Sequence, residues 1–467
     1  MTAPFDLTDD SVVVIIGTGA GGGVLANELA QKGISVVALE AGGRHLPQDY
    51  LNDEWDSFGQ LAWLDARTTS GDWRVAKDFS GLPAWIVKAV GGTTTHWAGA
   101  SLRFQDHEWK AATTYGPVQG ANLLDWPIDG AEMAPYYEKA ENKLGVTRTG
   151  DREGLPGNNN YKVFEAGAKA LGYEQVHTGR MAINSADGDR PACKQTGFCF
   201  QGCKWGSKWS AAYTDIPEGE ATGNLEVRER AHVLKIEHDE TGKVTGVLYA
   251  DADGNQKLQK ARVVCVAGNS IESPRLLLNS ASSMFPDGLA NSSGQVGRNY
   301  MRHMTGSVYA VFDKPVKMWR GTTMAGIIQD ESRHDPSRGF VGGYELETLA
   351  LGLPFMAAFL DPGGWGREFT TALDAYENMA GMWIVGEDMP QETNRITLNH
   401  EVKDQYGLPA PNVHFDDHPN DIAMRNHAYQ QGIAVYEAVG ATRTFPTPPY
   451  PSTHILGTYR MAENPRD

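Results

Sequence analysis

The sequence lacks the features of nucleic-acid binders, disulfide scaffolds and membrane-spanning proteins. Its 467 residues carry a formal net charge of −17, which would repel the phosphates of a nucleic acid. Four cysteines are too few for a secreted disulfide framework. No apolar run reaches the length that a bilayer-crossing helix requires. These absences predict a globular protein that binds no nucleic acid and does not insert directly into a membrane.

The N-terminus also lacks a visible secretion signal. Residues 1–14, MTAPFDLTDDSVVV, contain no basic segment followed by an apolar run. The chain is therefore expected to begin folding in the cytoplasm, and any later export would need the signal of a partner. The length predicts two intimately joined domains rather than one core.

A dinucleotide-binding unit opens the chain. Residues 12–16, VVVII, predict a strand buried on both faces, and residues 24–32 predict a helix. Between them lies a Gly-x-Gly-x-x-Gly pattern formed by Gly17, Gly19 and Gly22, with Ala20 inside it. Such glycines allow a tight turn, close approach of the pyrophosphate and close helix–strand packing. A second strand ends at Glu40, which can accept hydrogen bonds from the adenosine ribose.

Further motifs run through the whole chain in order. They are EAGG (40–43), VGGTTTHWAG (90–99), DWPIDGAEMAPYYEKAENKLGV (125–146), AGNSIESPRLLLNSA (267–281), VGRNYMRH (296–303), NRITL (394–398) and THILGTYRM (453–461). In this combination the sequence resembles the glucose–methanol–choline (GMC) oxidoreductase family. The resemblance implies an enzyme that binds FAD and acts on CH–OH donors.

The resemblance also implies the fold. It predicts an α/β fold (α+β overall), in which a Rossmann-type FAD-binding domain is interwoven with a substrate domain of antiparallel sheet plus helices, as in p-hydroxybenzoate-hydroxylase-like proteins. The FAD-binding domain is expected to comprise residues 8–104, 186–300 and 450–467. The substrate domain is expected to comprise residues 105–185 and 301–449.

The same resemblance assigns the flavin site. Besides the glycine turn and Glu40, the expected FAD contacts are Ala41, Gly91, Gly92, Thr93, His96, Trp97, Val233 and Gly268. In some family members the histidine that matches His96 is bonded covalently to the flavin, so His96 is a candidate tether. The alternative is a histidine that packs against the ring with Trp97, which the dehydrogenase relatives favour.

Three cysteines form a spaced row. Cys193, Cys199 and Cys203 follow a C-x5-C-x3-C pattern with glycines between them. The row resembles that of the catalytic subunits of bacterial sugar, gluconate, fructose and sorbitol dehydrogenases, where it holds a 3Fe–4S cluster in a loop matching residues 186–210. Three thiolates suit a cluster that lacks one iron corner. A disulfide with one free thiol is the second option, and zinc, which needs a fourth ligand, is the third.

The resemblance identifies His454, which opens the H-x-x-G-T motif, as the catalytic base. Histidine suits proton removal from an alcohol because its pKa lies near working pH. The expected function is dehydrogenation of a sugar, glycoside, sugar acid or polyol by hydride transfer to flavin N5, with electrons leaving through the cluster to a cytochrome. An oxygen-using oxidase and a non-catalytic flavin-binding relic are the alternatives.

The last expectations concern the chain end and the partners. The sequence stops at Asp467, whereas the family pattern continues with a strand, a helix and a second catalytic His or Asn. The closing segment is therefore expected to be missing, with weak FAD binding and poor turnover of the chain on its own. By analogy, a small export subunit and a cytochrome c subunit are expected, with the enzyme on the periplasmic side of a bacterial inner membrane. A cytoplasmic location is the alternative.

Overall fold

The computed structural model describes residues 5–54, 86–353, 364–449, 454–464 and 466. The strands are β1 (Val13–Ile16), β2 (Val36–Leu39), β3 (Val176–His177), β4 (Leu225–Arg228), β5 (His232–His238), β6 (Val244–Ala250), β7 (Gln256–Lys260), β8 (Val263–Val266), β9 (Met304–Val311), β10 (Ile327–Ile328), β11 (Tyr344–Thr348), β12 (Met379–Gly386), β13 (Arg395–Lys403), β14 (Pro409–His414) and β15 (Arg443–Pro446). The α-helices are α1 (Ala20–Gln31), α2 (Asp106–Trp109), α3 (Ala111–Tyr115), α4 (Gly130–Leu144), α5 (Asn159–Ala170), α6 (Asp215–Ala221), α7 (Glu272–Asn279), α8 (Gly366–Asp374) and α9 (Pro419–Glu437).

A parallel four-stranded sheet joins distant parts of the sequence. Its order is β4-β2-β1-β8, with Val13 of β1 between Val36 of β2 and Val263 of β8. The β-branched residues of β1 suit this central position because helices and a second sheet cover both faces. The predicted strand–turn–helix–strand unit is confirmed, although α1 begins at Ala20, four residues before the predicted helix.

A six-stranded antiparallel sheet forms the second layer, in the order β15-β9-β12-β11-β10-β3. Residues such as Val308 and Met382 point to one face and pack against Phe164 of α5 and Met424 of α9. This arrangement confirms the predicted mixed architecture, in which a Rossmann-type unit is combined with an antiparallel sheet backed by helices. The opposite face carries Trp383, whose ring centroid lies 5.1 Å from that of Phe200.

Smaller elements complete the described chain. Strands β5, β6 and β7 form a three-stranded antiparallel sheet, and β13 pairs with β14 through Ile396 and Val413. Asp129 caps α4, where its carboxylate accepts a hydrogen bond from the backbone N–H of Glu132 at 2.9 Å. In the part of the chain that the structure describes, no helix has the length and apolarity to cross a bilayer.

Candidate functional site

The glycine turn between β1 and α1 is built by close backbone contacts. A Cβ placed on Gly22 would lie 2.0 Å from the carbonyl oxygen of Gly17, so only glycine fits there. Gly19 precedes the first residue of α1 and faces Gly92, where a Cβ would lie 2.8 Å from the Cα of Gly19. The free N–H groups at the start of α1 favour an anion, and Gly19, Ala20 and Gly21 line a cavity.

Glu40 follows the last residue of β2, and its carboxylate is hydrogen-bonded to the glycine turn. One carboxylate oxygen accepts hydrogen bonds from the backbone N–H of Thr18 (3.0 Å) and from its hydroxyl (2.8 Å), and the other accepts from the backbone N–H of Gly42 (2.9 Å). Burial raises the pKa of Glu40, and these hydrogen bonds oppose the rise. The remaining lone pairs can accept from ligand hydroxyls because a carboxylate has about four acceptor positions.

A cavity of about 540 Å³ lies at the carboxyl ends of β1, β2 and β8, and we call it the cradle. The ligand crevice of doubly wound folds has this position. Of the predicted FAD contacts, the cradle is lined by Gly17, Gly19, Ala20, Glu40, Ala41, Gly92, Thr93, Val233 and Gly268. Gly22, Gly91, His96 and Trp97 are not among its lining residues.

Other side chains that line the cradle were not predicted. They include Lys88, His232, Asn269, Arg275 and Tyr459. Asn269 has a φ of 110° and accepts hydrogen bonds from the N–H groups of Ile271 and Glu272, which begin the turn into α7. Of these, only Asn269 had a visible signal, because an Asn ahead of a helix start indicates a cap.

His454 lies beside a second histidine. The ring centroids of His454 and His303 are 5.0 Å apart. Burial lowers the pKa of His303 to about 3, and His454 adds to this effect. Desolvation by the surrounding protein also lowers the pKa of His454. Both imidazoles are therefore neutral near pH 7 and can accept a proton.

The segment that carries His454 also borders the cradle. The next residue, Ile455, lines the cradle, and its carbonyl oxygen accepts a hydrogen bond from the hydroxyl of Ser270 at 3.0 Å. Leu456 exchanges backbone hydrogen bonds with Met301, two residues before His303. The predicted base is thus fixed between the cradle and the start of β9.

The three spaced cysteines lie around one small cavity, and we call residues 193–203 the cysteine loop. Each sulfur accepts a backbone N–H at 3.5 Å: Cys193 from Gln195, Cys199 from Thr323 and Cys203 from Lys208. All four cysteines of the chain are free thiols, so the disulfide option is not realised in the structure. Burial raises the pKa of the Cys193 thiol to about 12, and the two neighbouring thiols add to the rise.

No His, Cys, Asp or Glu group of three or more among the described residues is arranged to hold a metal ion. A single ion at about 2.3 Å from each sulfur would need thiolates within roughly 4 Å of one another. The loop therefore lacks the compact geometry of a zinc site, the option ranked last from the sequence.

His96 lies between the cradle and the cysteine loop. Its Nδ1 is 2.7 Å from the carbonyl oxygen of Phe200, and the edge of its ring meets Tyr50 at a centroid distance of 5.9 Å. Burial lowers its pKa to about 4, so the ring is neutral, with Nδ1–H donating to Phe200 and Nε2 carrying the lone pair. Trp97 packs against Trp209, to whose carbonyl oxygen its indole N–H donates at 2.9 Å.

Comparison with known proteins gives two family matches. Residues 72–305 match the model described as GMC oxidoreductase for its N-terminal domain, and residues 390–467 match the one for its C-terminal domain. Together they span most of the chain, and the first includes Gly91, Gly92 and all three cysteines of the loop.

Three curated relatives align with almost the whole chain. A 2-methyl-1,2-propanediol dehydrogenase of Mycolicibacterium austroafricanum is 32% identical, over 100% of this chain and 88% of that protein. A paromamine 6'-oxidase of Streptomyces fradiae is 30% identical, with coverages of 98% and 83%. A fructose dehydrogenase large subunit of Gluconobacter japonicus is 27% identical, with coverages of 97% and 89%.

A solved structure supports the fold independently. The pyridoxine 4-oxidase from Mesorbium loti superposes with a TM-score of 0.62 over 98% of this chain and 90% of that one. The sequence identity is 15%, so the likeness concerns the chain path and not the substrate.

Proposed function

The chain belongs to the GMC oxidoreductase family, and we propose that it is an FAD-dependent dehydrogenase of a sugar, sugar acid or polyol whose electrons leave through an iron–sulfur cluster. Family membership establishes a flavoprotein oxidoreductase that acts on alcohol groups. The substrate, the route of the electrons and the roles of individual residues belong to the proposal.

One observation carries the proposal: the cradle runs from the glycine turn to the segment that bears His454. The start of α1 would hold the pyrophosphate, because its free N–H groups favour anions. Glu40 would accept hydrogen bonds from the ribose, and the backbone of Val233 would contact the adenine. Lys88 adds positive charge to the wall, which suits a dinucleotide, whereas the charge of Arg275 is paired with Glu272 and Asp404.

His454 would act on the alcohol. When bound, FAD supplies the acceptor for the hydride. The neutral imidazole of His454 would take the hydroxyl proton, which strengthens the donor character of the carbon. His303 would stay neutral beside it, since protonation of both rings 5.0 Å apart in buried surroundings is unfavourable.

The cysteine loop would hold the iron–sulfur cluster. Its three sulfurs border one cavity and accept backbone N–H groups, as cluster ligands do. Three thiolates suit a 3Fe–4S cluster because such a cluster lacks one of the iron corners that four cysteines would hold. The cluster would provide a one-electron exit from the flavin site.

The relatives support the substrate class. They include enzymes named for a diol and for a sugar, and the sugar enzyme is described as a large subunit. We therefore propose a polyhydroxylated substrate, a small export subunit and a cytochrome c subunit, on the periplasmic side of a bacterial inner membrane. A covalent bond from His96 to the flavin stays part of the proposal, and acid precipitation that leaves all flavin in the supernatant would exclude it.

An oxygen-using oxidase is the second candidate, because a relative of 30% identity is named as an oxidase. Iron analysis and peroxide formation separate the two functions. The dehydrogenase predicts iron in proportion to flavin and little peroxide, whereas an iron-free protein that releases peroxide during turnover would be an oxidase.

The decisive experiment is an anaerobic visible spectrum of the purified protein before and after addition of sugars, sugar acids and polyols. We expect one class to bleach the flavin bands. His454→Asn should slow this bleaching about 10²–10⁴-fold, the usual contribution of a general base, at unchanged flavin content. His400→Asn, at an exposed position on β13, is the matched control and should react like the parent. Equal bleaching rates in both variants would exclude His454 as the base.

A further inference from the structure

We infer that Lys208 is the positive charge that balances the thiolates of the cysteine loop and sets the reduction potential of the iron–sulfur cluster they would hold. The inference rests on the proposed function, because it assumes that the loop binds such a cluster. It concerns a residue outside the cysteine motif and outside the lining of the cradle.

The ammonium group of Lys208 is fully enclosed. The residue is 1% exposed, and its Nζ donates to the carbonyl oxygens of Cys199 (2.7 Å), Thr95 (3.1 Å) and Trp97. All three ammonium hydrogens therefore have acceptors. These acceptors are neutral, so they solvate the charge without cancelling it.

Other buried cations of the protein are paired with carboxylates. Arg275 contacts Glu272 and Asp404, and Arg302 contacts Asp417. For Lys208, burial lowers the pKa to about 8, so the ammonium form still predominates at pH 7, and among the described residues the groups that oppose this decrease are the sulfurs of Cys199 and Cys203. A buried cation is costly without a counter-charge, which indicates that these sulfurs are anionic when the loop is occupied.

Lys208 also fixes the loop relative to the cradle. Thr95 and Trp97 belong to the segment that continues from Gly92 and Thr93 of the cradle, whereas Cys199 belongs to the cysteine loop. The backbone N–H of Lys208 donates to the sulfur of Cys203, and its carbonyl oxygen accepts from the hydroxyl of Tyr213 at 2.6 Å. One residue thus connects both segments and also donates to the sulfur of Cys203.

A fixed positive charge beside a cluster favours its more negative, reduced state, because net charge and hydrogen bonding set cluster potentials. Removing the charge should therefore lower the reduction potential and make the cluster a poorer acceptor of flavin electrons. A residue that only filled space would leave the potential unchanged.

The test is a redox titration of the holoprotein, followed by electron paramagnetic resonance, together with iron and flavin analysis. Lys208→Met and Lys208→Gln both remove the charge. The Gln side chain keeps hydrogen-bond donors, so Lys208→Gln provides the test if Lys208→Met does not fold. We expect both to shift the reduction equilibrium at least tenfold toward the oxidised cluster, about 59 mV for a one-electron couple. Lys208→Arg should stay close to the parent.

Lys243→Met is the matched control, since Lys243 is an exposed lysine between β5 and β6 and does not line the cysteine cavity. It removes the same charge from the surface and should leave the potential unchanged. Loss of iron with retention of flavin in the two neutral variants, but not in Lys208→Arg, would support the same conclusion. Equal potentials in all variants, or failure of every Lys208 variant to fold, would overturn it. A parent protein without iron would overturn both this inference and the proposed electron route, whereas substrate-dependent flavin bleaching would still test the alcohol oxidation.

Discussion

The cradle and the cysteine loop are neighbouring sites that are built in different ways. The cradle is made largely of backbone: the glycine turn, the start of α1 and the strand ends at Ile16, Leu39 and Val266. The loop depends on side chains, namely three thiols and the ammonium of Lys208, which all belong to residues 193–208. The cradle is therefore sensitive to atoms added at its close backbone contacts, whereas the loop is sensitive to the replacement of specific chemical groups.

We expect the largest effect from Gly22→Ala, which adds an atom at a close backbone contact of the cradle. The added Cβ would lie 2.0 Å from the carbonyl oxygen of Gly17, so β1 and α1 would have to separate. We expect loss of bound FAD, measured as flavin absorbance per protein, with loss of folded yield. Gly188→Ala is the matched control, because Gly188 is exposed, does not line the cradle and has no atom within 4 Å of its added Cβ. Normal flavin content in Gly22→Ala would show that the turn is not held by this contact.

A smaller and more selective effect is expected in the loop. Cys199→Ser removes one thiolate with almost no change of volume, so iron should be lost while the cradle keeps its flavin. Elemental iron and flavin absorbance measure the two sites separately. Cys265→Ser in β8 is the control and should keep its iron, since that thiol lies in the parallel sheet beside Ile15. Joint loss of iron and flavin in Cys199→Ser would mean that the two sites are not independent.

The backbone origin of the cradle and the side-chain origin of the loop explain which features could be predicted from the sequence. Glycine spacing between a β-branched strand and a helix reflects local steric needs, so most of the residues predicted around the cradle do line it. The antiparallel sheet was expected from resemblance, and its order was not, because β3, β9 and β15 are far apart in sequence. The contact of His96 with Phe200 and the buried position of Lys208 join residues more than 100 positions apart, and no local pattern encodes them.

The smallest predicted effect concerns the protonation of a side chain that lines the cradle. His232 lines the cradle and stacks on Tyr406, with ring centroids 5.0 Å apart. Burial lowers its pKa to about 4, and Lys88 adds to the decrease, so the folded state favours the neutral ring. An unfolded histidine titrates near 6.5, hence the folded protein loses stability through this residue as pH falls from about 6.5 to about 4.

For His232 this loss is about 2 kcal/mol between pH 7 and pH 5. His232→Phe keeps an aromatic ring against Tyr406 and cannot take up a proton, so its Tm should fall less than that of the parent over this range. His400→Phe, at an exposed position on β13, should follow the parent. If His232→Phe loses as much Tm as the parent, the ring of His232 is already charged or solvated in the folded state. The affinity of the cradle for a dinucleotide would then come from backbone dipoles and shape alone, whereas the cysteine loop depends on side chains.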